Sequence, residues 1–271
     1  MGLLDEKLSE KQKIEYIKNE TMHYDHIICS SDIERYYSAS YSGLNVNAIE
    51  VTGLPRNDRL FREKQYPKIE TDVFSILYAP TFRDFYVEGG SVFFPFTHDE
   101  GSLANWCRES GIRFVLRPHQ SDRGSVGHVR YLTKRYPDVF EDGGVAQKHD
   151  VMDLILSCDA IVTDYSSIYV DGLILDRPVV FVDYDRELYT EKRGLGYDYG
   201  LITPGPKVRT LDRFKKACED MKTGSPVWAE RRECVRGMFF KYKDANACYR
   251  VNKLISEMVL APAARATKAR V

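Results

Sequence analysis

Ala160-Ile161-Val162-Thr163-Asp164-Tyr165-Ser166-Ser167-Ile168-Tyr169-Val170-Asp171 changes its period halfway along. The opening residues form a short, uninterrupted apolar and β-branched run, as a buried strand does. A polar turn follows, and from Ile168 the apolar spacing becomes helical. Two hydroxyls at such a strand-to-helix turn can cap the helix, or can aim its free N–H groups at a phosphate. Asp171 lies four residues beyond Ser167, on the same helical face, where a carboxylate either accepts from a ribose hydroxyl or is simply solvated.

The same unit recurs on either side. Further strands are predicted at His26–Ser30, Ala48–Gly53, Phe74–Thr81, Arg113–Pro118 and Pro178–Tyr184, and the strand above spans Ala160–Asp164. Helices are predicted at Asp32–Tyr41, Asp99–Ser110, Val151–Ser157 and Ile168–Leu175. Strand and helix in alternation imply an α/β fold, a parallel sheet with helices on both faces. From Leu211 to about Leu260 only helical pattern remains, broken at Thr223–Pro226, and a closing pair of helices packed on the sheet is expected. The small, basic stretch Ala261–Val271 is expected to fray as a tail or a read-through scar. The first 60 residues are too few for a separate doubly wound domain, and a boundary is expected near Pro67.

The 271 residues carry 39 Lys and Arg against 40 Asp and Glu, a net charge of −1, which argues against a protein that grips nucleic acid through bulk positive charge. No apolar run reaches the roughly 18–20 residues that span a bilayer. The charged start MGLLDEKLSEKQK lacks a secretory apolar stretch, and Glu6 stands where a myristoylation motif requires Ser or Thr. Six cysteines without a C-x-x-C pair read as reduced thiols of a cytoplasmic protein, not as disulfides or a zinc site.

Chemistry gathers at the strand ends. Arg117-Pro118-His119 follows one strand, pairing a guanidinium fork suited to phosphate with a ring that can donate a hydrogen bond or move a proton. Tyr78-Ala79-Pro80-Thr81-Phe82-Arg83-Asp84 ends a second and Gly53-Leu54-Pro55-Arg56-Asn57-Asp58 a third. In an open α/β sheet ligands bind at the carboxyl ends of the strands. Arg56, Thr81, Arg83, Arg117, His119 and Ser166 are therefore expected at one end of one sheet, around a pocket for a diphosphate. No G-x-G-x-x-G, P-loop, H-E-x-x-H or G-x-S-x-G motif is present. His23 and His26 are set aside as a metal pair because a strand begins there.

Read together, GLPRND (53–58), YAPTFRD (78–84), RPH (117–119), TDYSSIYVD (163–171), PVVFVDYD (178–185) and RGLGYDY (193–199) resemble the CDP-glycerol glycerophosphotransferase family, the teichoic acid and capsule polymerases and primases, from roughly residue 20 to 255. The resemblance implies a GT-B-like doubly wound parallel sheet. On that reading residues 1–66 are a remnant of the N-terminal, acceptor-side domain. Residues 67–260 are then a CDP-donor-binding Rossmann-like domain with closing helices, and 261–271 a frayed tail. It implies transfer of glycerol phosphate, or a related polyol phosphate, from a CDP-activated donor to a hydroxyl of a polymer or lipid-linked acceptor. The setting would be the cytoplasm, with possible peripheral association at the inner face of the cell membrane. It brings neither metal nor cofactor, and nothing sets an oligomeric state.

The resemblance also places Arg56, Thr81, Arg117, His119, Ser166, Ser167 and Asp171 on donor-binding positions, with His119 as the catalytic residue. Phe82 or Arg83 completes the loop after YAPT, Pro118 lies within the RPH motif, and Arg193 matches a basic residue after PVVFVDYD. One departure stands out: the family's H-G-T-x-L-K segment, whose histidine acts as base, finds no His-Gly pair here. The chain thus reads as truncated, keeping the donor part and losing most of the acceptor part. Two alternatives follow, a non-catalytic CDP-donor-binding module and a GT-B glycosyltransferase using a nucleotide sugar. The latter would want an E-x7-E pair, whereas Glu187 and Glu191 are four apart.

Overall fold

The computed structural model describes residues 9, 11, 14–15, 24, 26–42, 44–64, 72–82, 93, 96, 99–119, 121–144 and 150–268. In chain order the described elements begin with β1 (Ile27–Cys29), α1 (Asp32–Ser42), β2 (Ile49–Val51), α2 (Asp58–Glu63) and β3 (Phe74–Tyr78). Next come α3 (Glu100–Ser110), β4 (Ile112–Leu116), α4 (Arg123–Arg135), β5 (Phe140–Asp142), α5 (Val151–Ser157), β6 (Ala160–Thr163) and α6 (Ile168–Ile174). The chain closes with β7 (Val179–Val182), α7 (Arg186–Arg193), α8 (Tyr199–Ile202), β8 (Lys207–Val208), α9 (Leu211–Thr223), α10 (Pro226–Phe239) and α11 (Ala247–Lys268). Two compact units result, one built from Pro67–Arg236 and the other from Glu6–Tyr66 with Gly237–Val271.

In the smaller unit β1 and β2 pair in parallel, Ile27 opposite Ile49, with α1 as the crossover. The C-terminal helix belongs here. The buried Asp58 carboxylate accepts the N–H groups of Ala247 and Cys248, both at 2.8 Å, satisfying two of the donors that every helix start leaves open. Arg250 Nε donates to the Thr52 carbonyl at 2.6 Å. This corrects one expectation. Residues 237–260 pack with the first segment, not with the larger sheet, because their partners Asp58 and Thr52 lie there. The closing pair of helices itself is present as α10 and α11, separated between Phe239 and Ala247. α11 runs on to Lys268, and residues 261–268, expected to fray, are helical; Ala261, Ala263, Ala264 and Ala266 are strong helix formers.

The larger unit holds a six-stranded sheet in the order β5-β4-β3-β6-β7-β8, every pair parallel. Counted from its own first strand this is the order 3-2-1-4-5-6 of a doubly wound sheet. The direction of winding reverses between β3 and β6, which opens a crevice at their carboxyl ends. β6 and β7 are buried at every residue, so they read as continuous apolar runs. Phe114, Phe140 and Phe214 lock the helices to one face, with the rings of Phe114 and Phe214 stacked 5.8 Å apart. The parallel α/β fold expected from the sequence is present, with the predicted strands and helices in place to within about three residues at either end. β5, β8, α2, α4, α7 and α8 are additional. Two strands of three and two residues are too short to show a period.

Candidate functional site

The loops that leave β3 and β6 are tied together at the reversal point. The Ala79 N–H donates to the Val162 carbonyl at 2.9 Å, and the Thr163 hydroxyl donates to the Ala79 carbonyl at 2.7 Å. One turn further on, Asp164 is 1% exposed. Its carboxylate accepts the Thr81 N–H at 3.0 Å to both oxygens and the Thr81 hydroxyl at 2.6 Å. It also accepts the N–H groups of Tyr165 at 2.6 Å and Ser166 at 3.3 Å, the local bonding that aspartate makes at a turn.

On the other side the same loop is tied to the end of β7. The Tyr165 hydroxyl donates to Asp185 at 2.8 Å, and its ring stacks on Tyr189 with centroids 4.0 Å apart. The Tyr199 hydroxyl donates to the Asp164 backbone carbonyl at 3.2 Å. Burial, reinforced by the Asp183 and Asp164 charges, pushes the Tyr199 phenol well above its ordinary range, so it stays a hydrogen-bond donor.

Arg117 and His119 follow β4. The Arg117 N–H donates to the Tyr78 carbonyl at 2.9 Å, and its Nη1 reaches the Gly143 carbonyl at 2.7 Å, which occupies one corner of the guanidinium fork. Pro118 is buried and holds the turn, whereas His119 is exposed. The Ser121 N–H donates to His119 Nδ1 at 3.2 Å, which leaves Nε2 carrying the ring hydrogen and available to donate. Phe82 stacks on the His119 ring.

Ser167 sits at the N-cap position of α6, yet its side chain makes no capping hydrogen bond and is exposed. The Ser166 hydroxyl accepts only a loose bond from the Ile168 N–H at 3.4 Å. Asp171, considered as a solvated or ribose-facing carboxylate, is instead 5% exposed. Arg193 ends α7 and is half-buried.

Of the expected cluster, Thr81, Phe82, Arg117, His119, Ser166 and Ser167 do follow adjacent strands of one sheet. Arg56 does not. It lies in the turn Pro55–Asn57 after β2, and β2 pairs with β1 in the other unit, with α1 as the crossover. Arg83 lies outside the described residues. Among the described residues no group of three or more His, Cys, Asp or Glu could hold a metal ion. Sequence reasoning missed Asp164, Tyr165, Asp185, Tyr189 and Tyr199 as the frame of the site. Asp164 and Tyr165 stand inside the TDYSS motif and Asp185 inside PVVFVDYD, but only the hydroxyls beside them drew attention.

The chain is 27% identical over 248 residues to the teichoic acid glycerol-phosphate primase of Bacillus subtilis (strain 168), covering 87% of this chain and 58% of that one. It is 31% identical over 227 residues to the teichoic acid poly(glycerol phosphate) polymerase of Bacillus spizizenii, covering 79% and 55%. It thus spans little more than half the length of these curated relatives. Among solved structures, the wall teichoic acid polymerase TagF superposes with a TM-score of 0.75 at 23% identity, covering 96% of this chain and 65% of that one. That likeness bears out the GT-B-like fold class. The sequence matches the description CDP-Glycerol:Poly(glycerophosphate) glycerophosphotransferase over residues 1–257, and the chain belongs to that family.

Proposed function

We propose that the chain binds a CDP-activated polyol at the carboxyl ends of β3, β4 and β6 and serves the transfer of its polyol phosphate to a hydroxyl of a teichoic-acid-type polymer or lipid-linked acceptor. One observation carries the reading. Arg117 and His119 follow β4, and Ser166 and Ser167 follow β6, on opposite sides of the point where the winding of a doubly wound sheet reverses. In the reaction the acceptor oxygen bonds to the β-phosphorus of the donor, the bond from that phosphorus to the bridging oxygen breaks, and CMP leaves. The acceptor's proton goes to a base. Negative charge builds on the phosphoryl and bridging oxygens, and hydrogen-bond donors already aimed there lower the barrier. The Arg117 guanidinium contributes positive charge at this sheet end, and the two serine hydroxyls and His119 Nε2–H contribute hydrogen-bond donors.

A CDP-polyol is a cytoplasmic nucleotide, so the proposed setting is the cytoplasmic side of the membrane, with peripheral attachment at its inner face. Among the described residues no helix is long and apolar enough to cross a membrane.

Calorimetry with CDP, CMP, CDP-glycerol and CDP-ribitol tests the donor half. Heat of binding with the diphosphates is expected, weakening as salt is added. Silence at millimolar ligand overturns the reading. CMP release on adding an oligomeric glycerol-phosphate acceptor tests the transfer, and the two CDP-polyols compared side by side name the polyol.

A further inference from the structure

A buried carboxylate is an unexpected neighbour for an anionic diphosphate, and Asp164 has taken no part in the chemistry above. A threonine hydroxyl has one hydrogen and its peptide N–H another. Both hydrogens of Thr81 are directed at Asp164, as are the N–H groups of Tyr165 and Ser166. Thr81 has therefore no hydrogen left for a phosphate oxygen. The partners are 83 residues apart in the chain, on loops of adjacent strands, and Tyr199 holds Asp164 by its backbone as well.

Resting on the function proposed above, we infer that Asp164 is a positioning residue, and that Thr81 is its latch rather than a ligand of the donor. The carboxylate gathers the loop hydrogens that would otherwise point at random and ties the loops after β3 and β6 across the reversal point. The Ser166 and Ser167 hydroxyls are what that loop then presents to the diphosphate. A carboxylate suits this place because it only accepts. An amide of the same shape would bring two N–H groups of its own among four converging donors and keep a single oxygen.

The test compares the wild type with Thr81→Ser, Thr81→Val, Asp164→Asn and the double variant Thr81→Val/Asp164→Asn. CDP affinity is read by calorimetry, and amide hydrogen exchange is read without ligand. Thr81→Ser keeps both hydrogens, so CDP affinity should stay within about twofold of wild type. Thr81→Val and Asp164→Asn should each weaken it by roughly 5- to 150-fold, the range for losing hydrogen bonds to a charged group. The double variant should be no weaker than Asp164→Asn alone, since the two act as one device. In Asp164→Asn the Thr81, Tyr165 and Ser166 amides should exchange about tenfold faster or more.

Losses that multiply in the double variant would mean that Thr81 meets the ligand itself, and the inference falls. Unchanged exchange in Asp164→Asn overturns it too. If the wild type binds no CDP, the functional proposal fails on its own, while the exchange data still decide the latch. Should Asp164→Asn not fold, the contrast between Thr81→Ser and Thr81→Val decides, by affinity and by exchange at Tyr165 and Ser166.

Discussion

The phenyl ring of Phe82 lies against the imidazole of His119, with centroids 5.6 Å apart and planes 21° from parallel. The contact joins the loop after β3 to the loop after β4, and together with the Ser121 N–H bond at Nδ1 it restricts the ring. His119 is exposed, so the direction of its Nε2–H rests on these two contacts.

Replacing Phe82 should therefore act on His119. A stacked pair contributes about 0.5–1.5 kcal/mol beyond its buried area. Phe82→Ala should cost about that much in stability and weaken CDP binding roughly 3- to 10-fold, while Phe82→Tyr should do neither. Calorimetry together with the His119 ring resonances checks this. An unchanged ring environment in Phe82→Ala would show that the stack does not orient the imidazole.

The serines separate capping from binding. The Ser167 side chain makes no capping bond, so Ser167→Ala should leave unfolding free energy within about 0.5 kcal/mol of wild type, below the usual cost of a lost cap. With Ser166→Ala added, CDP affinity should fall by roughly 1–3 kcal/mol, the range for bonds to a charged group. A large fall in stability with affinity untouched would mean that these hydroxyls serve only the helix.

Lys207 gives a pH dependence. Burial first, then the Arg231 charge, lowers its ammonium from 10.5 to about 8. Its Nζ donates to the Thr203 and Gly205 carbonyls at 2.6 and 3.1 Å, against the rings of Phe181 and Trp228. A lysine whose folded value lies below its unfolded value disfavours the fold while it is charged. The penalty is complete below about pH 8 and relieved as pH rises toward 10.5, because there the unfolded chain binds the additional proton. Denaturant unfolding at pH 7, 8, 9 and 10 should show the wild type gaining stability relative to Lys207→Met. The gain should be modest, since the side chain is half exposed and solvent screens it. A flat difference across that window refutes the shift.

Tyr169 carries a buried hydroxyl with no hydrogen-bond partner among the described residues, its ring set edge-on to Phe181. Burial raises its phenol well above the ordinary range, which keeps the unbonded O–H in place. Tyr169→Phe removes a polar group that gains nothing from the fold, so it should be neutral or stabilise by up to about 1 kcal/mol. A loss of stability in thermal unfolding would reveal a partner for that hydroxyl.

The alternation of buried strand and amphipathic helix is written locally, within a dozen residues at a time, because strand and helix differ in their period. Val151–Ser157 and the start at Ile168 were legible to the residue, and the turns that end β3, β4 and β6 to within about three residues. The motifs in those turns were enough to point to the family, since they lie close along the chain. Strand partners are not local. That Ile49–Val51 pairs with Ile27–Cys29 instead of joining the larger sheet depends on contacts between distant segments, and with it went the expected place of Arg56. The same holds for α11, whose first N–H groups are taken by Asp58 from the far end of the chain.

The sequence by itself determined the fold class, the family and the strand ends at which chemistry gathers. Only the tertiary structure decided where each hydrogen at those ends is directed. Thr81 and Ser166 look alike as hydroxyl-bearing turn residues, and nothing near them in the chain tells them apart. Folding brings Asp164 within 2.6 Å of the Thr81 hydroxyl and leaves the Ser167 hydroxyl without a capping bond. A donor can be shared among few acceptors, so the geometry of the long-range pair settles which hydroxyl is spent within the protein and which remains for a ligand.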